Sequence, residues 1–196
     1  MKSALIIFVK NPVSGRVKTR LAATLGNQKA LDIYRALLDH THKISLNLQV
    51  DKFVFYNDFI NDNDLWENEI YEKRLQDGTN LGDRMRKAFE QLFEAEYKKV
   101  IIIGSDCTEL TSEIILDAIE VLLKHDVVIG PAFDGGYYLL GMNYFILQIF
   151  DNKSWSSNSV FSDTRRQLEN FNISFNLIKT LRDVDQESDL EFISPD

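Results

Sequence analysis

Leu5-Ile6-Ile7-Phe8-Val9-Lys10-Asn11-Pro12-Val13-Ser14-Gly15-Arg16-Val17-Lys18-Thr19-Arg20-Leu21 begins as an unbroken apolar run and ends as a loop holding Lys10, Arg16, Lys18 and Arg20. The apolar run reads as a buried strand. The chain carries a formal net charge of -8, so four cations gathered in one short loop need a cause. A loop that follows the first strand of an α/β sheet opens at the carboxyl edge of that sheet, where ligands bind. Lys and Arg donors suit phosphate oxygens, and Gly15 lets the backbone come close to a ligand. A solvated basic turn is the alternative on charge alone. The reading favoured is a loop for the phosphates of a nucleotide.

Lys18-Thr19 resembles the end of a P-loop, but that motif needs Gly directly before the Lys and another five positions earlier. Val17 and Val13 stand there instead, and no G-x-G-x-x-G occurs in the chain. The phosphate site is therefore of another design.

Moving outward, 196 residues with 44% hydrophobic and 27% charged side chains suit one soluble α/β domain over residues 1–196. The acidic balance argues against a nucleic-acid partner, which a basic face would serve. No apolar run approaches the roughly 20 residues of a membrane span. Met1-Lys2 leads straight into the first strand without a small-residue cleavage site, so no signal peptide is expected. A single cysteine, Cys107, cannot form an intrachain disulfide, which fits a cytoplasmic protein. The sequence leaves the oligomeric state open.

Strand-like and helix-like segments alternate, which predicts a mostly parallel central sheet flanked by helices. Ala30, Leu31, Tyr34, Leu37, Leu38 and Ile44 recur at helical spacing, and Phe53 to Tyr56 reads as the second strand. Asn57 to Asn68 reads as a polar loop with a short helix. Asn80 can cap a helix with Leu81, Met85, Ala88, Phe89, Leu92 and Phe93 on its inner face. Val100 to Ile103 is a central strand, and Thr111 caps a further helix. Val127 to Ile129, Tyr137 to Met142 and Ile173 to Ile178 read as strands, the last at an edge, and Ser159 to Phe171 as a helix.

Three acidic motifs fall where such a sheet would bring them together. Gly104-Ser105-Asp106 follows the central strand, and its carboxylate can hold a hard cation such as Mg²⁺ or cap the next turn. Asp134-Gly135-Gly136-Tyr137-Tyr138 is either the wall of a pocket or a tight turn. Asp183-Val184-Asp185 puts two carboxylates on one face if extended, while Asp189 reads as the start of a terminal helix. With the basic loop, these describe a metal–nucleotide site. Cys107 reads as a packed residue rather than a nucleophile, because no His lies near it. His40, His42 and His125 lack metal-ligand spacing. Trp155 is either a stacking surface for an acceptor or a core anchor.

These motifs, with Leu81-Gly82-Asp83-Arg84-Met85, Gly130-Pro131-Ala132-Phe133 and Trp155-Ser156, run in order across nearly the whole chain. The sequence resembles a bacterial family of small GT-A-fold glycosyltransferase-like proteins, some of whose members are assigned to arsenosugar biosynthesis. The family is similar in fold to nucleotidyltransferases. Thr108 stands where the family usually has Pro, and Gln186 where it usually has Thr. The resemblance implies a single GT-A domain with a Rossmann-like sheet and a transferase activity on a nucleotide or nucleotide-sugar donor and a small-molecule acceptor. It implies Mg²⁺ or Mn²⁺ on Asp106 and Asp185, with Asp183 as the alternative ligand, and Asp106, Asp134 and Asp185 as the catalytic carboxylates. Phosphates would meet Lys10, Gly15, Arg16, Lys18, Arg20 and Arg84, and Gly135, Gly136, Tyr137 and Trp155 would line the substrate pocket. Glycosyl transfer is the favoured reaction, because no cluster of Lys or Arg accompanies Asp134 to receive an acceptor's phosphate. Nucleotidyl transfer and non-catalytic nucleotide binding are the alternatives.

Overall fold

The apolar run that opens the chain forms β1 (Ser3–Val9), and its side chains divide by the two-residue period of a strand. Leu5, Ile7 and Val9 pack on one face of the sheet, and Ala4 and Ile6 on the other. Only a strand covered on both faces can use a continuous apolar stretch. The computed structural model describes residues 2–192.

The sheet has seven strands in the order β3-β2-β1-β4-β6-β5-β7. β2 (Asp51–Tyr56), β3 (Tyr71–Leu75), β4 (Lys99–Ile103), β5 (Val127–Pro131) and β7 (Phe175–Leu177) complete the parallel set, while β6 (Tyr137–Met142) runs antiparallel between β4 and β5. One face is covered by α1 (Thr19–Leu25), α2 (Asn27–Leu46) and α4 (Ser112–Val121), the other by α3 (Leu81–Glu94) and α5 (Val160–Asn170). The expected caps are in place. Asn80 Oδ1 accepts from the Asp83 amide at 3.0 Å, and Thr111 Oγ1 from the Ile114 amide at 3.4 Å. Among the described residues no helix is long and apolar enough to cross a membrane.

The sequence reading missed β3 and α1. It also expected a short helix in Asn57 to Asn68, which the structure replaces with bends and a turn. Buried Trp66 anchors this segment, its ring edge-on to Tyr71 at 5.0 Å. Asp189 does not start the terminal helix. It sits inside a short 3₁₀ segment, Glu187–Phe192, and its Oδ2 reaches back to the Asp185 and Gln186 amides at 2.9 and 2.7 Å.

Because β6 is reversed, its first residue lies at the same edge as the carboxyl ends of β1, β2, β4 and β5. That edge therefore collects the basic loop, Asp106, Asp134 and Tyr137.

Candidate active site

The basic loop is fixed by two residues to which the sequence reading gave no functional role. Tyr34, buried on α2, binds the Lys10 backbone from both sides, accepting from its amide at 2.8 Å and donating to its carbonyl at 3.2 Å, and its hydroxyl lies 3.3 Å from Ser105 Oγ. Asn11, also buried, accepts from the Asp58 and Phe59 amides and donates to the Phe59 carbonyl, latching the loop to the segment after β2. A buried side chain that satisfies several backbone groups is costly to remove. Asn11→Ala should therefore lower stability by about 2–3 kcal/mol in urea titration.

Lys18 does not face an open phosphate cradle as the sequence reading expected. Its backbone is left-handed (φ 46°, ψ 47°) at the start of α1, and its side chain is 5% exposed. Nζ stands 3.1 Å from Asp106 Oδ2 and 3.1 Å from Asp185 Oδ1. Burial acts to lower the lysine pKa, but the Asp106 and Asp185 carboxylates outweigh it and hold the ammonium charged.

Asp106 follows β4, and the chain after β7 returns beside it. Leu181 bridges to Ala132, and the Val184 amide donates to the Asp106 carbonyl at 2.8 Å. With Val184 buried, Asp183 and Asp185 both line the cleft, as expected of an extended Asp-Val-Asp. Burial, reinforced by Asp106, Asp134 and Asp185, pushes the Asp183 carboxyl up to about 7, with Lys18 acting the other way.

The opposite wall explains two glycines of the motifs. A Cβ on Gly82 would overlap the Trp155 indole, which also stacks on Phe150 at 6.3 Å. Gly135 has φ 89°, and a Cβ there would overlap the Asn158 carbonyl. The Phe161 amide donates to the Gly135 carbonyl at 2.9 Å, so Gly82 and Gly135 together dock the segment around Trp155–Ser159 against the cleft. Trp155 is therefore an anchor that also lines the cavity. Gly82→Ala should expel the indole and red-shift tryptophan emission, and the shift should vanish in a Trp155→Phe background. An unchanged spectrum in Gly82→Ala contradicts this packing.

Lys10, Arg16, Lys18, Thr19, Arg20, Asp106, Asp134, Gly136, Tyr137, Trp155, Asp183 and Asp185 line one cavity of about 630 Å³. Arg16 and Arg20 are 70% and 73% exposed and hold loose ion pairs, with Asp58 at 3.8 Å and Asp185 at 3.7 Å. Asp134 Oδ1 accepts from the Gly136 amide at 2.8 Å, so this carboxylate closes its own turn while facing the cavity. An adjoining cavity of about 390 Å³ lies over β1, lined by Phe8, Val9, Asn57, Gln76, Leu81 and Arg84 among others. Arg84 turns toward this second cavity. Its guanidinium donates to the Gly78 carbonyl at 3.2 Å and to Gln76 Oε1 at 3.3 Å, away from the basic loop. Gly15 and Gly135 line neither cavity. Gly15 supplies a turn at φ 76°, and Gly135 a docking point.

Burial, with Asp183 adding to it, pushes the Cys107 thiol up to about 12, which opposes a thiolate nucleophile. His40 and His42 bond to the Leu110 carbonyl and to Glu67 on the outer part of the fold. Among the described residues no group of three or more His, Cys, Asp or Glu side chains stands at metal-holding distances. The convergence of Asp106 and Asp185 on one ammonium nitrogen nonetheless fits Mg²⁺ or Mn²⁺. Such a hard cation takes one or two protein carboxylates and fills its remaining positions with phosphate oxygens and water.

Solved structures place this architecture among transferases. A protein from Desulfovibrio desulfuricans G20 named "putative nucleotide-diphospho-sugar transferase" superposes with a TM-score of 0.86 at 32% identity, over 95% of this chain and 84% of that one. CMP:2-keto-3-deoxy-manno-octonic acid synthetase complexed with CTP superposes at 0.61 and 12% identity, over 98% and 96% of the two chains. Rv0371C from Mycobacterium tuberculosis H37Rv, in complex with manganese, superposes at 0.55 and 10% identity, over 98% and 97%. The last two likenesses show the fold alone. No curated protein sequence matches the chain. The DUF2064 family, described as "uncharacterized protein conserved in bacteria", matches residues 40–157. With more than half its length matched, the chain belongs to the DUF2064 family, on the fold of the nucleotide-diphospho-sugar transferases.

Proposed function

We propose that this protein is a divalent-metal-dependent transferase that moves a glycosyl group from a nucleotide-diphospho-sugar to a hydroxyl of a small-molecule acceptor. One observation carries the reading. Asp106 and Asp185 converge on a single cation point in a cavity whose rim bears Lys10, Arg16 and Arg20. The name of the Desulfovibrio protein supports it.

The smaller cavity over β1 takes the base and ribose, and Lys10, Arg16 and Arg20 meet the diphosphate through charge-assisted hydrogen bonds. Asp106 and Asp185 hold Mg²⁺ or Mn²⁺, which when bound offsets the charge that develops on the leaving diphosphate. Asp134, Trp155, Ser156, Ser157 and Asn158 line the far side of the large cavity with carboxylate, indole, hydroxyl and amide groups. These suit a sugar and a neutral hydroxylated acceptor, and the Asp134 carboxylate would repel a phosphorylated one. Asp134 is the candidate general base for the acceptor hydroxyl.

The test is product analysis with a panel of nucleotide-sugars and nucleoside triphosphates in the presence of Mn²⁺. Release of nucleoside diphosphate supports glycosyl transfer. Pyrophosphate released from a triphosphate makes the protein a nucleotidyltransferase, and binding without turnover leaves a nucleotide-binding protein. Arg16→Ala combined with Arg20→Ala should weaken nucleotide binding by at least tenfold, since each charge-assisted bond is worth about 1.5–3 kcal/mol. Calorimetry on the folded double variant checks this.

A further inference from the structure

The point on which Asp106 and Asp185 converge already holds an ammonium group. Lys18 Nζ is 3.1 Å from each carboxylate, and the lysine side chain is almost wholly buried. A metal bonded to both carboxylates at about 2.0–2.1 Å would need the same space and would face a like charge. Lysine and metal therefore exclude one another. We propose that Lys18 is the resident counter-ion of this metal site, keeping it closed to free divalent cations and yielding it only when the phosphates of a nucleotide enter. The proposal rests on the metal-dependent reading above and adds an order to it: donor and metal arrive together.

Charge and geometry both favour the exchange. Asp106 and Asp185 carry two negative charges, of which Lys18 offsets one. A divalent cation offsets both and frees the ammonium for the incoming diphosphate. Lys18 lines the large cavity beside Thr19 and Arg20, so its head can turn toward phosphate without crossing packed core. The lysine has the flexible stem and compact charge that such a swing requires. The backbone adopts a conformation that non-glycine residues rarely take (φ 46°) at the N-cap of α1, where the Lys18 carbonyl accepts from the Ala22 amide at 2.8 Å. Strain of this kind survives only where surrounding structure enforces it, and it gathers at functional sites. Here it aims the side chain into the acidic group.

The experiment is equilibrium dialysis of the whole chain against Mn²⁺, alone and with inorganic pyrophosphate, for the native protein, Lys18→Met and Lys18→Met/Asp106→Asn. Lys18→Asn provides a second neutral variant whose side chain tolerates the left-handed backbone, should the Met variant fold poorly. The native protein should retain Mn²⁺ weakly alone and at least tenfold more tightly with pyrophosphate. Without pyrophosphate, Lys18→Met or Lys18→Asn should bind Mn²⁺ at least tenfold more tightly than the native protein, and the added Asp106→Asn should abolish that gain. Equal affinity of native and Lys18 variants for Mn²⁺ alone overturns the proposal, whatever its value. If pyrophosphate still promotes Mn²⁺ retention in that case, the metal-dependent reading stands without the lysine gate. If no protein retains Mn²⁺ under either condition, both fail.

Discussion

Asp106→Asn is expected to cut turnover by about a thousandfold or more while leaving the fold intact. The change is nearly isosteric, but it removes the negative charge that a hard cation requires of its ligand. Metal stabilisation of a leaving group is worth several kcal/mol, and each 1.36 kcal/mol is a factor of ten in rate. Asp106 is 37% exposed and its main chain is held by the Val184 amide, so the backbone need not shift. Asp185→Asn should act in the same direction. Steady-state rates beside circular dichroism of each variant make the comparison. A folded Asp106→Asn protein that keeps more than a tenth of native turnover contradicts the assignment.

Asp183→Asn is expected to stabilise the metal-free protein, and by more as pH rises. Burial and the carboxylates of Asp106, Asp134 and Asp185 raise the Asp183 carboxyl to about 7, against an ordinary value near 3.8. Between those values the unfolded chain has released the proton while the folded chain keeps it, so stability falls as pH rises through that window. Below it both states hold the proton, and above about 7 the penalty is complete. Asparagine carries no such penalty. The advantage of Asp183→Asn should therefore grow by about 2–3 kcal/mol from pH 5 to pH 8, or roughly 5–10 °C in melting temperature. Thermal melts in chelator at both pH values measure it. A constant gap would mean that Asp183 is ionised throughout.

What the sequence made legible follows from where each signal resides. β1 and β4 are buried on both faces, so their unbroken apolar runs could be read directly. β3, Tyr71-Glu72-Lys73-Arg74-Leu75, could not. It is an edge strand whose charged residues satisfy local partners, Lys73 with Asp64 and Arg74 over the Phe53 ring, and periodicity says little there. Among the acidic motifs, Asp106, Asp134, Asp183 and Asp185 do meet, because a strand end fixes where each begins. The destination of Lys18 was not legible. Its direction depends on a left-handed backbone at a single residue, which a loop's composition does not encode. Arg84 was misplaced for a related reason, since Gln76 and Gly78 claim its guanidinium from outside the helix that carries it. Gly82 could be quoted as part of a motif, but its cause is the indole of a residue far along the chain.

A crystal of the protein soaked with Mn²⁺ and the nucleoside diphosphate selected by a thermal-shift panel, with anomalous diffraction locating the metal, tests the metal site at Asp106 and Asp185. One peak is expected at bonding distance from Asp106 and Asp185, with the diphosphate against Lys10, Arg16 and Arg20 and the Lys18 ammonium turned away from the carboxylates. A bound nucleotide with no metal at Asp106 or Asp185, and Lys18 still spanning the two, would contradict it.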